Sequence, residues 1–160
     1  MNSSSAEEAD YIRIRLKHYA ERGIFAGVRE HSARHQKFGY SFQWLLGAEF
    51  SLVWDNSKRE ILFADLLPKV DYPSFLDREI RRFTAERSSG ELPDHRRIDP
   101  EKASIRYSNR GGDGQIVVRL TEGDAVYGLK ATLTFVNDLF SWLHLYHINY
   151  LHREFGVPEE

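Results

Sequence analysis

The sequence predicts an α+β fold: an antiparallel sheet of about five strands in the order α-βββ-α-ββ-α, with a long C-terminal helix packed on it. Three observations carry this expectation. Apolar residues alternate with period two between Phe38 and Phe63, the pattern of strands with one face buried. A glycine-rich turn joins two further alternating runs between Ile105 and Leu120. Then Val126, Leu129, Leu133, Val136, Phe140 and Leu143 recur at steps of three and four, which stacks side chains on one helical face.

At 160 residues the chain suits a single domain, 1–160, with residues 1–5 as a flexible lead-in. That length buries about two-thirds of the unfolded surface without help from disulfides or metals. Ser5-Ala6-Glu7-Glu8 has the form of a capping box, and Ile12, Leu16 and Tyr19 follow at helical spacing, so a helix is expected over residues 6–22, ended by Gly23. From 23 to 37 no period survives, and Arg29, His31, Arg34, His35 and Lys37 crowd together in what reads as a loop or short helix.

Phe38, Tyr40, Phe42 and Trp44 then form a first strand, broken at Gly47. Phe50, Leu52 and Trp54 form a second, Asp55-Asn56-Ser57-Lys58 supplies a turn, and Ile61 and Phe63 form a third. Pro68 closes this segment. Pro73 and Ser74-x-x-Asp77 open a second helix with Leu76, Ile80 and Phe83 on one face, and Ser88-Ser89-Gly90 ends it. Residues 91–101 connect to a hairpin of Ile105 and Tyr107 against Ile116, Val118 and Leu120, turning at residues 109–114.

Residues 124–155 read as one terminal helix, capped by Asp124 and stopped by Gly156 and Pro158. Phe135, Leu139, Trp142 and Tyr146 widen its apolar stripe beyond the roughly 100° that an ordinary surface helix needs. A sheet covers one side only. The second side is expected to meet another helix, a partner chain or a ligand, which makes these four the candidate interaction residues.

This element order and the long final helix resemble those of type III secretion chaperones and of bacterial sensory transduction regulators. The resemblance implies a helix-and-sheet sandwich and a non-enzymatic module that binds another protein or its own copy. It carries no site residue onto this chain.

A net charge of −2 gives no global attraction to nucleic acid or to an anionic membrane, so nucleic acid is a secondary expectation, confined to the basic 29–37 segment with Arg96 and Arg97 nearby. Lys37-Phe38-Gly39-Tyr40-Ser41-Phe42 departs from the RNA-recognition signature, because Phe38 separates the basic residue from its glycine. The cysteine-free composition, the absence of a secretion signal and the absence of a long apolar run set the expectation of a soluble, cytoplasmic protein with no membrane partner.

Candidate chemistry is sparse. His31 and His35 have the i, i+4 spacing that would pair imidazoles on a helix, and His144, His147 and His152 lie near the end of the terminal helix; neither set completes a ligand pattern. The run Arg110-Gly-Gly-Asp-Gly sits between strands rather than before a helix, so it reads as a turn and not a phosphate cradle. Ser104 and Ser108 lack a nucleophile elbow. Asp65 and Asp138 are the acids expected to be partly buried. No catalytic residue, metal or cofactor is assigned. The leading expectation is a protein-interaction or self-associating module, regulatory or chaperone-like, with a partner that is itself or another protein. Nucleic-acid binding and a small-molecule or metal-binding domain follow it.

Overall fold

The computed structural model describes residues 2–31, 34–93 and 96–158. Among them the order is α1 (Asn2–Glu21), β1 (Ala26–Glu30), β2 (Lys37–Gln43), β3 (Glu49–Asp55), β4 (Glu60–Leu67), α2 (Phe75–Glu86), β5 (Ala103–Arg110), β6 (Asp113–Leu120), α3 (Ala125–Tyr146) and α4 (Ile148–Phe155). The six strands form one antiparallel sheet in the order β1-β2-β3-β4-β6-β5. The fold is α+β, as expected, with one strand more than the periodicity reveals.

Strand alternation decides which face is core. Tyr40, Phe42, Phe50, Leu52, Trp54, Phe63 and Ile116 point to the side where all four helices lie, and they share one apolar cluster with Ile12 of α1, Ile80 of α2, Leu139 of α3 and Leu151 of α4. Each such side chain contributes about 1.5–3 kcal/mol relative to exposure. On the other face, one row crosses the sheet through Gly39, Val53, Leu62, Val117 and Arg106. Val53, Leu62 and Val117 lie outside the apolar cluster beneath the helices, although Val117 is itself 8% exposed. The aromatic run from Phe38 to Trp44 therefore lies beneath helices rather than on an open platform.

The caps follow the sequence closely. Ser74 Oγ accepts from the Asp77 amide at 3.0 Å, Asp124 accepts from the Tyr127 amide at 2.9 Å, and Gly156 adopts the left-handed conformation at φ 72°. Gly111 and Gly112, both at positive φ, turn β5 into β6. Asp55 closes the turn after β3 by accepting from the amides of Ser57 and Lys58, each at 3.1 Å.

Five expectations need correction. The described residues of the 23–37 segment form not a loop or short helix but the edge strand β1 and a turn leading into β2. Almost every β1 residue is exposed, so no alternation exists to be read. Its turn places His35 and Gln36 at φ 51° and 66°, residues that carry no turn signature.

Second, α1 begins at Asn2, so residues 2–5 are helical backbone and the capping box is interior to the helix; Met1 and the Ser5 side chain lie outside what the structure describes. Glu8 serves elsewhere, accepting from Arg59 at 2.6 Å and from the Ala125 amide at 3.1 Å, where it caps α3 across the chain.

Third, the terminal helix is broken at His147, whose φ of −139° and ψ of 46° separate α3 from α4. The break redirects the chain so that Tyr150 and Leu151 enter the core, with the Tyr150 hydroxyl donating to the Pro68 carbonyl at 2.6 Å. Fourth, Val126 is 48% exposed, because the buried stripe of α3 starts instead at Ala125, Gly128 and Leu129. Fifth, Asp65 is exposed: a bulge between Phe63 and Leu67 turns it outward while Leu66 and Leu67 are both buried. Asp138 is partly buried, as expected.

Candidate interaction surface

The second apolar side of α3 is covered largely by its own chain. Phe135 and Leu139 are buried at 2% and 0% exposure, so neither is a surface residue. Phe83 of α2 supplies part of the cover, its ring 5.8 Å from Phe135 and stacked on Trp142 at 4.8 Å. The extra width of the stripe is thus partly an intramolecular α2–α3 contact. Nothing in the local sequence separates a helix that meets a partner chain from one that meets another helix of its own.

The other two candidates remain at the surface. Trp142 is half-buried, and Tyr146 is 69% exposed with its ring 6.4 Å from that of Trp142. Around them lie His147, 5.0 Å from Trp142, and Phe75, 6.2 Å from His147. Phe75 is 62% exposed and Leu145 is 74% exposed. The α3–α4 break and the start of α2 thus bring aromatic rings together in a continuous patch. Exposed apolar side chains scattered singly need no explanation, whereas here several lie side by side. Burial holds the His147 imidazole below its ordinary pKa, partly offset by the nearby Glu79 carboxylate, so the ring in the patch is neutral at pH 7.

Phe75 and Leu145 carry no signal in the sequence beyond being apolar residues off the core stripe. Phe75 directly follows the Ser74 cap and reads as a helix start. Its neighbours in the patch are more than sixty residues away along the chain.

The basic segment does not build a cationic platform. Arg29 pairs with Glu49 at 2.6 Å, Glu30 of the same strand takes Lys17 at 2.6 Å, and Lys37 stands in register with Asp55. His31 packs over Gly39 and shares a 2.6 Å hydrogen bond with Ser41 Oγ, whereas His35 sits in the hairpin turn. His31 follows the edge strand and His35 stands at positive φ in the turn, so these two do not form the helical pair of imidazoles that their spacing would allow. Arg34 and His35 are exposed. Arg96 lies on the α2 flank of α3, 3.8 Å from Asp138, which also pairs with Arg87 at 3.1 Å. His144 is exposed on α3, and His152 on α4 is bonded to the Val157 carbonyl. No group of three or more metal-ligating side chains converges among the described residues, and no helix there is long and apolar enough to cross a membrane.

No protein-family model matches the chain, and neither a curated protein nor a solved structure matches it. What the geometry itself defines is an α+β protein with an exposed aromatic patch at the junction of α2, α3 and α4.

Proposed function

We propose that this chain is a non-enzymatic protein-interaction module, regulatory or chaperone-like, that associates with a second copy of itself through the patch formed by Phe75, Trp142, Tyr146 and His147. The observation that carries this reading is the exposure of Tyr146 beside the half-buried Trp142 and of Phe75 beside His147, whose ring joins the two. Aromatic residues are enriched at interface centres, where they bury large area at small entropic cost. A like partner fits best because the patch offers little charge for an unlike one to match: Glu79 is paired with Arg82 at 2.9 Å, and His147 is neutral. The resemblance of element order to secretion chaperones and sensory transduction regulators points the same way. A cytoplasmic location belongs to the same proposal, on the cysteine-free sequence. Nucleic-acid binding is less well supported, since acids accompany the basic hairpin.

Native mass spectrometry of the purified protein, read beside sedimentation velocity over a concentration series, tests this. The expected result is a dimer that Phe75→Ser together with Tyr146→Ser converts to monomer. A wild-type protein that stays monomeric throughout overturns self-association, and a dimer indifferent to both substitutions overturns the surface.

A further inference from the structure

On the opposite flank of α3 from the aromatic patch, a cleft of about 330 Å³ opens between the end of α1, the residues leading into β1, and α3. Its floor is apolar: Phe25 and Leu133 are buried, and Trp44 stands half-buried beside Phe25 at 5.5 Å between rings. Ile24, 46% exposed, forms one lip. The other lip is polar, made by Lys130, Thr134 and Asn137, which follow one another at i, i+4 and i+7 on α3. Among the described residues none of these three side chains has a hydrogen-bond or ion-pair partner, although each can donate. Lys130 is the one charged residue among the described residues of the lining.

We infer that this cleft binds a small apolar carboxylate, an aromatic or medium-chain acid, with its hydrocarbon body on Phe25, Trp44 and Leu133 and its carboxylate at Lys130. An apolar concavity with a few convergent polar groups is the usual form of a small-molecule site, and this volume lies at the lower end of that range. The charge selects the class. One ammonium on a flexible stem matches a monoanion. A dianionic phosphate is better matched by a guanidinium fork or converging backbone amides beside any lysine, and the described lining contains no arginine. Thr134 and Asn137 supply the further donors of that lip.

The test is a titration of ¹⁵N-labelled full-length protein with 3-phenylpropanoate, followed by amide and indole shifts, beside its neutral isostere 3-phenylpropanamide. Saturable shifts are expected at Phe25, Lys130, Thr134 and the Trp44 indole, with the amide binding about fivefold more weakly, the worth of one partly exposed charge contact. Lys130→Met, an exposed substitution that keeps the apolar stem, is expected to abolish the preference for the acid. Absence of saturable shifts, or shifts centred on Phe75 and Tyr146, overturns the site. Equal affinity for acid and amide overturns the ligand class.

Discussion

The Tyr107 hydroxyl donates a 2.9 Å hydrogen bond to Asp77 Oδ1, joining the edge strand β5 to the first turn of α2. Asp77 is 1% exposed and also accepts from Asn109 at 3.1 Å and from Arg81 at 2.8 Å. Asn109 in turn bonds the Val70 carbonyl and the Gly112 amide, so one buried carboxylate fastens α2, the loop before it and the β5–β6 turn.

Asp77→Ala is therefore expected to destabilise the protein by about 2–4 kcal/mol, because it leaves the buried Tyr107 hydroxyl without its acceptor and takes one of two acceptors from the half-buried Asn109 amide. Denaturant melts check this, with Asp77→Asn losing less. Burial pulls the carboxyl pKa upward, but the bonds from Arg81, Asn109 and Tyr107 outweigh it and hold the group below its ordinary value. A lowered folded pKa means the contribution is complete above the unfolded pKa and is lost as pH falls through the folded one. The difference between wild type and Asp77→Asn should accordingly shrink on acidification below about pH 4.

Glu8 gives a second prediction. Its carboxylate sits between Arg59 and the N-terminus of α3, and Glu8→Ala should cost about 1–2 kcal/mol through loss of the cap and the ion pair. Since the contact spans 117 residues, the variant should also raise amide exchange in the first turn of α3. Unchanged exchange there would show that α3 does not depend on α1 for its cap.

Leu139 and Tyr146 are about two helical turns apart on α3 and should behave oppositely. Leu139→Ala removes a fully buried side chain and is expected to cost about 2–5 kcal/mol. Tyr146→Ser should alter stability by no more than about 0.5 kcal/mol while weakening self-association. Thermal melts and sedimentation on the same samples separate the two effects. A Tyr146 variant as unstable as the Leu139 variant would show the ring to be packed rather than presented.

His147 sets a pH dependence in the acidic direction. Burial lowers its folded pKa, so stability from the neutral ring is complete above the unfolded value, near pH 6.5, and is lost as pH falls through the folded one. The melting temperature should drop over that interval in wild type and drop less in His147→Gln. Self-association should weaken with it, because protonation puts a cation among Phe75, Trp142 and Tyr146. Identical profiles for the two proteins would remove His147 from both roles.

Local chemistry by itself determined the strand alternation from Phe38 to Phe63, the Ser74 and Asp124 caps, the glycine turn at 111–112, the Gly156 stop and hence the α+β class. Each depends on neighbours a few residues away, where periodicity and capping act. Other features rest on residues far apart in the chain. The β1 edge strand has no buried face to impose a pattern, and the α3–α4 break contains neither proline nor glycine at His147. Leu139 and Tyr146 belong to the same apolar run, yet one is fully buried in the core and the other stands in water. Only tertiary packing, which brings Phe83 onto Trp142 and Phe75 beside His147, decided which part of that run is core and which part is surface.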